Sequence, residues 1–304
     1  MTDRSRLPLG VRPKDEIRYG RAIRFKDHTK VIPTHPLTND DTNVGAFPMD
    51  RNDRNGTCVA AGAAHFIQIV TGLLTSNAVI WTDGQVVAFY KTQNPNFPAD
   101  DNGMVIQQGL DYLIKTGVIL GYATVDPTDH EAVRAAQYLG LGLIGGYNLQ
   151  VAQQQQAVFD YVPGSPDWGG HCMVEARYVP TLIGDVTWST VENSTDAFQT
   201  HLCSELYFVI TQAHVDHPGF RAGFNLDTFG QAYTDLTGRP FVWAPGPTPP
   251  PSPTPEPSTP ADATFAAVLL ENAGHPWPWR IHVGENETVA RAAQAWLRAK
   301  GDHP

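Results

Sequence analysis

The sequence predicts an α+β fold with helices first and strands later, and three observations carry that expectation. Residues 58–74, 104–116 and 128–139 read as helices with recognisable start or stop signals. From residue 140 onward, GLGLIGGYNL, HCMVEARYV, DVTWSTVEN and ELYFVITQA are rich in β-branched and aromatic residues and separated by turn signals. A proline-dense stretch, residues 244–262, then interrupts all periodic structure. Helices followed by strands suggest segregated layers.

Each element has a local reason. The first helix opens after an Asn55-Gly56 turn, with Thr57 a plausible N-cap and Phe66, Ile67 and Val70 toward the core. WTDGQVVAFYK, residues 81–91, is a mixed segment without a clear period. The second helix stops at Gly117, which suits a left-handed C′ position. The third begins at Thr128 in TDHE, where Glu131 stands three residues on as in a capping box, and it ends at Gly140. GLGLIGG lacks the Lys-Ser/Thr of a phosphate-binding loop and a following helix, so it reads as a strand in a tight core.

The 304 residues divide into a basic arm (1–34), a main domain (35–243), a proline-rich linker (244–262) and a small helical tail module (263–304). The first 30 residues hold nine Lys/Arg and four Asp/Glu. With a total of −10, the remainder carries about −15. A basic arm thus precedes an acidic body. It is either a solvated, loosely ordered terminus or an arm that docks on an acidic neighbour or on its own body. The overall charge argues against nucleic acid as a partner. No apolar run reaches spanning length, and the N-terminus has no hydrophobic segment of the Sec-signal kind. Three cysteines make no disulfide framework. In the tail, Val289, Ala292, Ala293, Trp296 and Leu297 share a helical face, either packed within the unit or presented to a protein partner.

The chemistry centres on DRNGTCVAAGAAHF. A thiol attacks as thiolate, and a helix N-terminus and a nearby imidazolium both favour that form. Cys58 stands in the first turn of a helix, where it is either a small core residue or a nucleophile. His171, in DWGGHCMVEARYV, follows two glycines at the head of a strand. It is either a satisfied core histidine or the base. Cys172 points to the opposite face, so the two do not serve one site.

Taken together, an early-helix cysteine, a late-strand histidine and a polar residue on the next strand make the sequence resemble the papain-like cysteine peptidases. Within them it is most similar to a divergent set from actinobacteria and their phages. The resemblance covers residues 35–213. Asn52, six residues before Cys58, stands where the family keeps a glutamine that donates to the oxyanion. DNGMVIQQGLDYLIKTGVILGY looks like its cleft-lining loop and helix. GGHCMVEARYV matches its histidine strand. VTWST falls where the family carries Asn followed by Ser-Trp.

The resemblance implies Cys58, His171, Thr187 and Asn52 as catalytic residues, and Gly103, Trp168, Gly169, Gly170 and Trp188 as the cleft. No cofactor and no metal are implied. Thr187 supplies a hydroxyl where the family has an amide, and Trp188 would shield its bond to His171. The activity implied is cleavage of peptide or amide bonds through a thiolate–imidazolium pair and an acyl-enzyme. The alternative is a weak or inactive papain-fold binding protein, such as a phage virion component attached through arm and tail. The expected location is cytoplasmic or virion-associated. The first 50 residues read as too short and proline-rich for an inhibitory propeptide.

Other clusters carry less. His171-Cys172 and His201-Leu202-Cys203 match no structural zinc spacing. His214, Asp216 and His217 in HVDHPG read as a solvated turn. Asp101 and Asp160 have no spacing that suggests a catalytic carboxylate pair.

Overall fold

Among the described residues, eight strands form one sheet in the order β2 (Gly121–Thr124), β8 (Cys203–Ile210), β3 (Leu143–Gln150), β5 (Asp167–Val179), β6 (Leu182–Thr187), β7 (Thr190–Thr195) and β4 (Val158–Phe159), with β1 (Asn39–Asp40) also paired to β5. The computed structural model describes residues 4–29, 33–75 and 77–243. The linker and tail expectations, residues 244–262 and 263–304, therefore lie outside the described residues.

In chain order, α1 (Glu16–Gly20), a 3-10 turn (Phe25–His28) and β1 (Asn39–Asp40) precede three helices: α2 (Cys58–Leu74), α3 (Asp83–Tyr90) and α4 (Ile106–Lys115). Next come β2 (Gly121–Thr124), α5 (His130–Gly140), β3 (Leu143–Gln150) and β4 (Val158–Phe159). The strands β5 (Asp167–Val179), β6 (Leu182–Thr187) and β7 (Thr190–Thr195) follow. The described residues end with α6 (Asp196–Leu202), β8 (Cys203–Ile210), α7 (Gln212–Asp216), α8 (Pro218–Gly223) and α9 (Leu226–Thr237). Strand pairs are antiparallel except β4 with β7.

The sheet separates two cores. Cys172, Val174 and Ala176 of β5 pack with α2, α3 and α4, whereas Met173 packs in the other core with Phe198 and Phe208. By strand alternation His171 and Glu175 share the Met173 side. The helix-first expectation thus describes the α2–α4 layer, and α5, α6, α8 and α9 cover the opposite face. No described helix is long and apolar enough to cross a membrane.

Four local expectations are corrected. Residues 83–90 form α3, capped by a Thr82/Gln85 capping box that the absence of apolar periodicity concealed. The cap of α5 is Asp129, which accepts from Ala132 N, and Leu141 rather than a glycine takes the left-handed position at φ 59. DVTWSTVEN is a hairpin, not one strand: Trp188 (φ 43) and Ser189 (φ 65) make the two-residue turn between β6 and β7. His214 is buried in α7, hydrogen-bonded to Thr211 and to Gly140 O (3.0 Å), and burial lowers its pKa to about 4. It is not a solvated turn residue.

Glu175 and Asp185 are cross-strand partners, both fully buried. Glu175 Oε1 accepts from Tyr147 Oη and from Gln199 Nε2 (2.8 Å), and Asp185 Oδ2 accepts from Ser194 Oγ at 2.6 Å. Glu175 Oε2 and Asp185 Oδ1 are buried without partners. Burial raises both pKa values, and for Glu175 the neighbouring Asp185 charge adds to the rise. In the window between the ordinary carboxylate pKa and these raised values, the folded chain holds protons that the unfolded chain has released. Their stabilisation is present at acid pH and lost as pH rises, by roughly 1.4 kcal/mol per pH unit for each such proton. Thermal melts at several pH values check this. Glu175→Gln is expected to flatten the loss of Tm from weakly acid to alkaline pH, and an unchanged slope would rule the carboxyl pair out as its source.

Candidate active site

Cys58 is the first residue of α2, delivered there by a strained turn. Asp50 (φ 52) and Arg51 (φ 61) are consecutive left-handed residues just ahead of Asn52. Two contacts hold that turn. Thr57 Oγ1 donates to Asp50 O at 2.9 Å rather than capping α2, and the buried Asp50 carboxylate lies 3.3 Å from Nε2 of His65, itself in α2. The same nitrogen lies 2.8 Å from Pro48 O. Asn52 is thereby fixed, with Oδ1 buried and unpartnered.

His171 projects from β5. Its Nε2 lies 2.6 Å from Thr187 Oγ1, at the end of β6. Trp188 lies flat on the imidazole, with centroids 4.2 Å apart and planes 20° apart, and Trp168 stacks on Trp188 at 5.9 Å. The unusual φ of Trp188 swings the indole back over the ring, and Ser189 Oγ pins the turn to Phe47 O at 2.5 Å. His171 Nδ1 is buried and makes no hydrogen bond.

The N-terminal arm runs through the cleft. Val11 N donates to Gly170 O (2.9 Å), Met104 N to Gly10 O (2.7 Å) and Arg12 N to Met104 O (2.8 Å), so that Val11 and Met104 form a parallel bridge. The passage is as narrow as backbone permits. A Cβ on Gly10 would lie 2.0 Å from Gly56 O, one on Gly103 2.1 Å from Gly10 O, and one on Gly170 2.4 Å from Val11 O. Gly103 and Gly169 have φ of 73 and 150, which glycine tolerates, and a Cβ at Gly169 would lie 3.1 Å from Leu9. Basic side chains fasten the rest of the arm. Arg4 pairs with Glu192 at 2.8 Å, Lys26 with Asp129 at 2.6 Å and Arg18 with Asp111, while Lys14 donates to Ser204 O.

The result is a closed, neutral site. Cys58 and His171 are each 0% exposed, so a substrate atom cannot reach the sulfur while the segment is seated. Burial pushes the Cys58 thiol up to about 11, outweighing the backbone N–H groups of Cys172, Gly10, Val59 and Cys58 itself that lower it. Burial alone pushes His171 down to about 3. Both shifts favour thiol and imidazole over thiolate and imidazolium. The Cys172 thiol points at Gly62 of α2 and is also raised by burial.

Every cleft residue named from sequence thus belongs to one neighbourhood: Gly103, Gly169 and Gly170 against residues 9–11, and Trp168 and Trp188 against His171. The Asn52 side chain has no hydrogen bond to that group. The structure has the arm docked on its own body, one of the two alternatives the sequence left open; the passage of residues 9–12 between Gly56, Gly103 and Gly170 was not foreseen. The usable signals were the basic arm on an acidic body and a glycine set between prolines in PLGVRP. Sequence reasoning also missed the Asp50–His65 contact. Among the described residues, no group of three or more His, Cys, Asp or Glu is arranged to hold a metal ion. Asp101 instead accepts from Gly56 N at 3.0 Å and from Tyr90 Oη, and Asp160 accepts from Thr195 Oγ1 at 2.6 Å.

This is the fold of the papain-like cysteine proteases. Xylellain, a cysteine protease from Xylella fastidiosa, superimposes with a TM-score of 0.56 over 69% of this chain and 98% of its own, at 15% identity. ProCathepsin B S9 from Trypanosoma congolense gives a TM-score of 0.50 over 68% of this chain and 87% of its own, at 10% identity. At such identities the likeness is one of fold. No protein-family model matches the sequence, and no curated relative does.

Two outcomes follow from the geometry. Alkylation of Cys58 by iodoacetamide, mapped by mass, is expected to be slow in the intact chain and faster in Gly10→Val by roughly tenfold or more, the ratio that about 1.4 kcal/mol of arm destabilisation produces. Equal rates would show that the segment does not shield the sulfur. His65→Ala removes the hydrogen bond to Pro48 O and the nitrogen nearest the buried Asp50 side chain, and is expected to lower unfolding free energy by about 1–2 kcal/mol in denaturant melts.

Proposed function

We propose that the chain is a papain-like cysteine hydrolase cleaving peptide or amide bonds, held latent by its own residues 9–12. One observation carries this reading. Cys58 opens a helix with its sulfur against the backbone N–H of Cys172, one residue along the strand from a histidine that is hydrogen-bonded through Nε2, covered by tryptophan and left with an unpartnered Nδ1. Nδ1 is thus the imidazole nitrogen left free to exchange a proton.

Withdrawal of the segment admits water to the cleft and removes the burial that keeps both groups neutral. With Nε2–H donated to Thr187, Nδ1 carries the lone pair and takes the proton from Cys58. The thiolate attacks the carbonyl carbon. The developing oxyanion is met by the backbone N–H of Cys58 and the Asn52 amide. His171 returns its proton to the departing nitrogen as the C–N bond breaks, leaving a thioester. Water then gives a proton to His171 and attacks the thioester, and the C–S bond breaks. Thr187 is a positioning residue: it sets the imidazole tautomer and plane, and Trp188 keeps water from that bond.

Within this class we assign the chain to the actinobacterial and actinobacteriophage set, on the pattern of Asn52, Cys58, His171 and Thr187. The 244–262 stretch as spacer, the 263–304 unit as protein-docking module and a virion-associated location belong to the same proposal.

The test is turnover of a quenched-fluorescent peptide library by Gly10→Val, with Cys58→Ala in that background as control. Turnover that vanishes with Cys58→Ala is expected. None in either would leave a papain-fold binding protein. In the same background, Thr187→Val is expected to lower kcat by roughly tenfold, about 1.4 kcal/mol of transition-state orientation, with KM unchanged. Thr187→Asn should keep most of the rate.

A further inference from the structure

A second groove lies between the arm and the body, away from Cys58. Its volume is about 740 Å³, and its walls come from α1 and the residues after it, from α4, from Tyr122 of β2 and from the end of α9. Its lining is basic in an acidic protein: Arg18, Arg21, Lys115 and Arg239 face only Asp15 and Asp111, in a chain whose net charge is −10. Arg18 is paired with Asp111, which also accepts from Tyr122 Oη at 3.1 Å. The side chains of Arg21, Lys115 and Arg239 have no ion-pair or hydrogen-bond partner among the described residues.

Gln107 gives the groove chemical direction. It is 1% exposed, it lines the groove, and both its Nε2 and its Oε1 are unpartnered. A buried primary amide with donor and acceptor unmet costs free energy unless something supplies both. A peptide group does so in one plane; a phosphodiester offers acceptors only. Ile17, Tyr112 and Leu236 leave exposed apolar surface along the same walls, suited to side chains.

We propose that this groove binds an acidic peptide segment, its backbone on Gln107 and its carboxylates on Arg21, Lys115 and Arg239, and that occupation holds residues 9–12 in the cleft. The second half follows from linkage. Ile17, Arg18 and Arg21 belong to the arm, so a ligand touching both walls binds the seated chain more tightly than the released one and shifts the chain toward the seated form. This rests on the latent-arm reading, not on turnover.

The experiment uses the full chain and a fluorescein-labelled peptide of alternating Glu and Leu with blocked ends. Anisotropy should saturate, and binding should weaken with salt. It should weaken roughly tenfold or more in Arg21→Ala/Lys115→Ala/Arg239→Ala and, separately, in Gln107→Leu, which replaces an unpartnered amide by an apolar group and should not unfold the chain. The peptide should also slow Cys58 alkylation in the wild-type chain. Absence of saturable binding, binding indifferent to both variants, or equal displacement by a single-stranded oligonucleotide of matched charge would overturn the site. Binding that leaves alkylation unchanged or faster would overturn the coupling. Neither readout depends on hydrolysis, so failure here and failure of the hydrolase reading are separable.

Discussion

At the mouth of the cleft one stretch of backbone passes between two others at a spacing that excludes a single methyl group. Gly10 lies against Gly56 and Gly103, and Val11 against Gly170. The remaining features of the site depend on this approach. Backbone hydrogen bonds at 2.7–2.9 Å tie residues 10–12 to Met104 and Gly170, and Cys58 has no solvent exposure. Dehydration then decides protonation. The helix start that would favour a thiolate is present, yet burial outweighs it. The closed state of the site is thus a matter of solvation as well as of sterics.

The arm's charge and the groove it lines extend the same logic outward. Arg4, Arg18 and Lys26 neutralise carboxylates of the body. The half-exposed Arg18 and Lys26 pairs contribute little individually and weaken with salt, whereas the Arg4–Glu192 pair is largely buried and is screened less. Arm and body meet through backbone fit at one end and together line a solvent-facing, cation-rich groove at the other. The buried Glu175 and its cross-strand partner Asp185 lie on β5 and β6, the two strands that carry His171 and Thr187.

Much of the fold was legible. The span of α2 was read to its ends because its start follows an Asn-Gly turn and its apolar residues repeat at helical spacing. Gly117 was read as a helix stop and takes φ 75. β5 carried its own alternation. What failed had competing local signals. α3 lacks apolar periodicity, and only its Thr82/Gln85 cap marks it. Trp188 and Ser189 do not resemble a hairpin turn, because packing on His171 and the bond to Phe47 O, not local preference, hold their left-handed backbone. His214 looked solvated beside a proline, yet a long-range bond to Gly140 O buries it.

For the site, the sequence alone determined the chemical cast: a thiol at a helix start, a histidine behind two glycines, a hydroxyl sixteen residues further on and a tryptophan beside it. Those are matters of residue type and spacing along one chain. Tertiary structure decided their state. Whether the arm floats or threads the cleft depends on contacts between residues 10 and 103, and 11 and 170, that no local pattern encodes. The same contacts decide whether Cys58 and His171 meet water, and with it whether they are charged. Long-range packing sets solvation, and solvation sets protonation, so the residue types at Cys58 and His171 could be read from the sequence while their burial could not.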